Sequence, residues 1–262
     1  MSETKPATPR PAATLLMIRD GADGLEVFMV KRHHMIDFTP GALVFPGGRV
    51  SEGDSHAALE NLTDGGTQWD EEMRAFAAAA IRETFEESGI LLAREADTGN
   101  FVSPERLRAL HPYRGQLDRH EIDLADLLKK ENLRLACEGL ARFAHWITPE
   151  TLPKRFDTQF FLAASPQGHA GSHDGRESVD SVWTTPEAAL ADRKKWNIIF
   201  PTKLNLMKLA ESKSVAEALA AARAKDPVPV LPWLDQTPDG PMLRIREDAG
   251  YSQTSTLARE GM

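Results

Sequence analysis

Hydrophobic positions along the chain fall into runs whose period changes from segment to segment. ATLLMIRD (13–20) and LEVFMVKR (25–32) are apolar and partly β-branched, and they flank Gly21-Ala22-Asp23-Gly24. That is the pattern of two strands in a hairpin. A third apolar run, Ala42-Leu43-Val44-Phe45, stops at Pro46-Gly47-Gly48. Proline ends a strand, and the glycines permit backbone conformations closed to other residues. From Asp70 to Ser88 the period lengthens. Met73, Phe76, Ala77, Ala80, Ile81, Thr84 and Phe85 recur at the spacing of one helix face. Thr67 and Asp70 give a capping-box-like start, and Gly89 stands where a left-handed C-cap belongs.

Further on, the pattern predicts a short strand at Ile90-Leu91-Leu92 and helices near 104–110 and 121–131. Strands near 141–147, 156–163 and 178–184 follow, then helices at about 186–195 and 202–224. The proline-rich end holds two strand pieces around Pro238-Asp239-Gly240. No linker-like tract interrupts residues 12–225 and no repeat is visible. The expected organisation is a mobile tail (1–11), one domain (12–225) enlarged by insertions at about 55–74 and 95–135, and a C-terminal extension (226–262).

Composition narrows the class. The 262 residues are 41% hydrophobic and 27% charged, enough for a core that needs no disulfide or metal staple. With 31 basic against 39 acidic residues the net charge is −8, which speaks against a general nucleic-acid binder. An anionic small substrate remains open if the site supplies positive charge. Cys137 is the single cysteine and reads as a small buried hydrophobe rather than a nucleophile. The polar, proline-rich start, the absence of any run of about 18 apolar residues and the lack of an anchor motif at LAREGM make a reducing cytoplasm the expected compartment.

The helix carries chemistry on a second face. Glu83, Glu86 and Glu87 fall at i, i+3 and i+4 beside Arg82, one stripe about 100° around from the apolar face. Like charges at this spacing destabilise a helix. A hard divalent cation with oxygen ligands relieves the repulsion; the alternative is a solvated acidic face with Arg82 paired to one glutamate.

Gly48, Asp54 and Arg82-Glu83-Thr84-Phe85-Glu86-Glu87-Ser88-Gly89-Ile90, preceded by Phe45-Pro46-Gly47-Gly48, resemble the Nudix box. Three departures stand out. Thr84 replaces an aliphatic residue, Asp54 replaces a glutamate, and 27 residues separate Asp54 from Arg82 where seven are expected. A 20-residue insertion at this point resembles the subgroup of peroxisomal coenzyme A diphosphatases, and it leaves the role of Asp54 open. Arg32, Gly41 and Phe45-Pro46-Gly47-Gly48 are similar to the coenzyme A signature of that subgroup, although Asp37 takes the place of a basic residue. Runs at 146–149, 155–161 and 183–190 also look like it.

The resemblance implies an α+β fold, a Nudix-type α/β/α sandwich around a mixed sheet. It implies a diphosphatase using Mg²⁺ or Mn²⁺ on coenzyme A or acyl-coenzyme A, with products 3′,5′-ADP and (acyl-)4′-phosphopantetheine. Glu83, Glu86 and Glu87 are the implied metal ligands, with a backbone carbonyl near Gly47 or Gly48 able to complete the shell. Arg82 would orient a glutamate or the loop. Glu177 is either a late-loop general base or an exposed acid. Arg32 is the first candidate for phosphate, followed by Lys154 and Arg155, for which the other reading is a structural ion pair or a solvated rim. The alternative is a diphosphatase acting on ADP-ribose, NAD(H) or a dinucleotide. A non-catalytic sensor is disfavoured because all three helix carboxylates are present. No nucleic-acid or membrane partner is expected, and a homodimer is the oligomer in view. His169 and His173 have metal-like spacing but lack a third ligand pattern, and His33-His34 is assigned nothing.

Overall fold

A computed structural model describes residues 6–35, 39–192 and 195–258. Asp37, part of the 186–195 helix and the last four residues lie outside these, as do the first five residues of the expected tail. The strands are β1 (Arg10–Gly21), β2 (Gly24–Arg32), β3 (Leu43–Val44), β4 (Gly47–Arg49), β5 (Thr63–Asp64), β6 (Ala93–Glu95), β7 (Leu133–Ala136), β8 (Ala141–Ile147), β9 (Phe156–Ala164), β10 (Ser178–Thr184), β11 (Pro229–Val230), β12 (Trp233–Thr237), β13 (Gly240–Arg244) and β14 (Ser255–Leu257). The α-helices are α1 (His56–Leu59), α2 (Glu71–Ser88), α3 (Pro104–Leu110), α4 (Pro112–Asp118), α5 (Leu124–Lys130), α6 (Pro186–Ala191), α7 (Phe200–Leu209) and α8 (Val215–Ala224).

The main sheet is mixed, in the order β10-β2-β1-β9-β8-β11, with β3 on β2 and β4 on β1. The expected hairpin forms, Asp20 pairing with Leu25 and Gly21 with Gly24. At the centre β1 and β9 run parallel from Arg10↔Phe156 to Ile18↔Ala164. A central strand covered on both faces must alternate between two cores, and β1 does. Ala13, Leu15 and Met17 enter the core containing α2, whereas Leu16 and Ile18 enter the one containing α7 and α8. The result is the three-layer α/β/α sandwich.

The two segments expected to be insertions fold together. β5, from the first, pairs in parallel with β7, from the second, and β7 pairs with β6. Arg134 fastens them, donating to Asp64 Oδ1 at 2.6 Å, the Asn61 carbonyl at 2.6 Å and the Thr63 carbonyl at 3.0 Å. Leu59, Leu127, Leu128 and Leu135 continue the α2 core outward.

Several boundaries differ from the sequence pattern. Residues 90–92 are buried but form no strand, which starts at Ala93 instead. The helix expected over 202–224 is two, because Ser214 caps α8 by accepting from the Glu217 N–H. The strand expected from Ala13 already begins at Arg10, inside the expected tail. At the other end the run expected as the first hairpin strand (228–233) instead supplies β11, which extends the main sheet, and β12, β13 and β14 form a small antiparallel sheet whose first turn falls at the expected Pro238-Asp239. Among the described residues no helix is long and apolar enough to cross a membrane.

Candidate active site

The site grows out of α2. Asp70 caps its start by accepting from the Met73 N–H at 2.8 Å, and Gly89 ends it in a left-handed turn with φ 70°. Between these caps Phe76, Ile81 and Phe85 are buried in the core, and the polar stripe turns toward the β4 loop. Thr84, where an aliphatic residue is usual, is buried because its hydroxyl donates to the Ala80 carbonyl at 2.7 Å. A buried hydroxyl satisfied within its own helix packs like an apolar neighbour.

Arg82 is the hub. Its Nε and Nη2 fork onto the two oxygens of Asp54 at 2.8 and 2.9 Å, and Nη2 also donates to the Arg49 carbonyl at 2.8 Å. Nη1 donates to Glu83 at 2.9 Å and Glu86 at 3.0 Å. Asp54 is fully buried and also accepts from the Ser51 N–H and hydroxyl at 2.8 and 2.9 Å. The insertion therefore loops outward and returns, leaving Asp54 and Arg82 in contact across 27 intervening residues. Burial alone would lower the Arg82 pKa; the bond to Asp54 and the surrounding carboxylates hold it raised, so the guanidinium stays charged.

Gly47 and Gly48 are required for a different reason from the one their sequence suggests. Neither has a positive φ. A Cβ on Gly47 would stand 2.5 Å from the Ala13 carbonyl oxygen, and one on Gly48 would stand 2.5 Å from the Glu83 carboxyl. Gly47 gives room for the close approach of β1 to the loop, and Gly48 for that of α2. The Gly47 N–H donates to Glu87 Oε2 at 3.1 Å.

Arg82 and Gly47 thus each hold one oxygen of a glutamate, so Glu83 Oε2, Glu86 Oε2 and Glu87 Oε1 are left outside these bonds. Among the described residues no three His, Cys, Asp or Glu side chains converge into a ready-made metal cage. The chemistry of the donor set nevertheless fits a hard cation: hard oxygens, buried or nearly so, with more carboxylates gathered than Arg82 pairs. Desolvation, followed by the neighbouring Glu83, pushes the Glu86 carboxyl up to about 8 and holds Glu87 well above the ordinary range. Desolvation also raises Glu83 against the opposing pull of Arg82.

The three glutamates face a cleft of about 270 Å³ that also contains Glu177, Asp174, Arg114 and Arg176. Glu177, carried on the loop before β10, thus comes to the helix carboxylates. Arg32 lines a second cavity together with Gly47; its charge is felt by Glu87, and its Nε is buried without a hydrogen-bond partner. Arg155 is brought to neither cavity. It is buried, with Nε on the Thr148 carbonyl at 3.0 Å and Nη1 on the Ala7 carbonyl at 2.7 Å, and it secures the start of β1. A guanidinium spent on backbone carbonyls does not reach a substrate. His169 likewise bonds the Val102 carbonyl at 2.8 Å, and the His173 ring contacts the Ser181 hydroxyl at 3.2 Å.

Sequence reasoning missed Arg114. From α4, in the second insertion, it donates to the Glu86 carbonyl at 3.0 Å and to the Ser172 carbonyl at 2.9 Å. It ties the end of α2 to the segment leading to Glu177. Pro112 at the first turn of a helix was the available signal.

A three-layer sandwich that presses an Arg-Glu-x-x-Glu-Glu helix onto a glycine loop defines a Nudix-type hydrolase. A family model described as the NUDT19 Nudix domain matches residues 63–207, and the chain belongs to that Nudix hydrolase family. The acyl-coenzyme A diphosphatase NUDT19 of Xenopus laevis is 26% identical over 215 residues, covering 67% of this chain. Its Homo sapiens counterpart is 27% identical over 226 residues, covering 71%. The chain spans 57% of the length of each. Among solved structures, a Nudix hydrolase from Alicyclobacillus acidocaldarius superposes with a TM-score of 0.69 at 30% identity, covering 84% of this chain and 97% of that one.

Proposed function

We propose that the chain hydrolyses the pyrophosphate of coenzyme A or acyl-coenzyme A to 3′,5′-ADP and (acyl-)4′-phosphopantetheine, with Mg²⁺ or Mn²⁺ held by Glu83, Glu86 and Glu87. The observation that carries the reading is the buried glutamate stripe, whose charge Arg82 offsets only in part. When bound, a divalent cation polarises phosphate oxygens and lowers the pKa of a coordinated water. The protein groups have separate tasks. Glu177, in the same cleft, is the base that takes the proton from the attacking water. Arg32, with its buried unpaired Nε, donates to a pyrophosphate oxygen, where a charged donor matches a charged acceptor. Arg82 holds Glu83 and Glu86 in place and does not touch substrate. The names of the Xenopus and human relatives support acyl-coenzyme A over ADP-ribose as substrate.

The test is a panel of coenzyme A, acyl esters, ADP-ribose, NADH and a diadenosine polyphosphate, each incubated with Mg²⁺ or Mn²⁺ and resolved by product mass. Release of 3′,5′-ADP from coenzyme A or its esters supports the reading. Cleavage of ADP-ribose with coenzyme A and its esters left intact rejects it.

A further inference from the structure

Beside the carboxylate cleft lies a larger cavity of about 530 Å³, within the size range of small-molecule sites. Its walls include Phe45, Trp146, Phe156, Phe160, Leu234 and Leu243. Phe156, Thr158 and Phe160 alternate along β9 and so present one face to it. The polar edge of Trp146 is already used, its indole N–H donating to the Tyr251 hydroxyl at 2.8 Å. Among the described lining residues Arg32 carries the only charge. Gly47 links the two, lining the larger cavity while its N–H donates to Glu87, which lines the cleft. The apolar surface continues outward, since Leu231 and Trp233, on either side of the lining Pro232, remain 39% and 47% exposed.

The two halves of an acyl-coenzyme A differ in the same way as these surroundings. The nucleotide half carries a phosphate monoester and calls for several cations, whereas the acyl-pantetheine arm is neutral, with two amides and an apolar end. A cavity whose described lining carries one charge among largely aromatic and aliphatic walls matches the second half. We propose that this cavity is the subsite for the acyl-pantetheine arm, with the pyrophosphate at Arg32, and that it makes the chain selective for acyl esters over free coenzyme A. The inference rests on the coenzyme A reading above.

The experiment compares kcat/KM for free coenzyme A, acetyl, butanoyl, octanoyl and dodecanoyl esters, and ADP-ribose. The proteins are wild type, Thr158→Phe, which fills the cavity, and Leu234→Gln, which makes a partly exposed wall polar. Thermal melting confirms that each variant is folded, and Leu234→Gln carries the test if Thr158→Phe is not. In wild type KM falls with chain length, by up to about fourfold for each methylene buried. In the variants the octanoyl-to-free ratio falls toward one. Equal kcat/KM for free coenzyme A and every ester in wild type overturns the inference while leaving the coenzyme A reading intact. Losses in Thr158→Phe as large for ADP-ribose and free coenzyme A as for the octanoyl ester also overturn it, because the nucleoside then occupies the cavity. Cleavage of ADP-ribose alone removes both readings together.

Discussion

Arg82 gathers Asp54, Glu83, Glu86 and the Arg49 carbonyl onto one guanidinium, so its loss would leave several buried acids without a counter-charge. Arg82→Met is expected to destabilise the fold by about 3–5 kcal/mol, the range for breaking one side of a buried ion pair, as read by urea denaturation. Arg82→Lys keeps the charge but cannot fork onto Asp54, so it should recover stability only in part. Gly48→Ala is a finer probe. Its Cβ would collide with the Glu83 carboxyl, a movable group, and not with backbone. The expected result is a roughly tenfold or greater loss of Mn²⁺ affinity, the scale of lost support around metal ligands, with little change in melting temperature. Unaltered affinity in an Mn²⁺ titration would show that Glu83 holds no ion. At this scale the glutamate stripe was legible because helical period alone puts i, i+3 and i+4 together. The partnership of Asp54 was not, because it depends on how a 20-residue excursion closes. Arg155 stayed between two roles because sequence does not show that a basic side chain is consumed by carbonyls.

Helix α2 was legible as an element because periodicity and the Gly89 end agreed; its start differs by three residues, Asp70 and not Thr67 being the N-cap. Its acids give it a pH dependence. The Glu86 carboxyl is held at about 8 in the fold against an ordinary 4.5. A carboxyl raised in this way contributes stability that is complete below the lower value and is lost as pH rises through the upper one. Without divalent cations the melting temperature should therefore decline from about pH 5 to pH 9 through this group, and added Mg²⁺ should raise it more near pH 8.5 than near pH 6. An Mg²⁺ effect that shrinks with rising pH would contradict this. The insertion elements were less legible. α4 lies in a segment broken by Pro112 and Gly115, and β5 with β7 are short strands recognisable only as partners of each other. Arg134→Ala, which removes the bonds to Asp64, Asn61 and Thr63, is expected to cost about 1–3 kcal/mol and to expose amides of residues 60–70 to hydrogen exchange before those of β1.

At the scale of the whole molecule, the sheet divides the apolar residues into two cores, and Gly47 lines the apolar cavity while donating to Glu87 of the carboxylate cleft. The sandwich was legible in the order of strands and helices together with the motif. That the two insertions would form one joint layer over α2, and deliver Arg114 to the end of that helix, was not, since it rests on contacts between segments some 70 residues apart. The net charge of −8 now has a local meaning: part of it is concentrated where a cation would be held, and Arg32 supplies positive charge felt by Glu87. The most direct test is the rate of 3′,5′-ADP release from coenzyme A or octanoyl-coenzyme A by wild type and Glu87→Gln, with Mg²⁺ and with chelator. The account predicts release that requires the cation and falls at least about 100-fold in Glu87→Gln. Release at the wild-type rate by Glu87→Gln, or release unaffected by chelator, would contradict it.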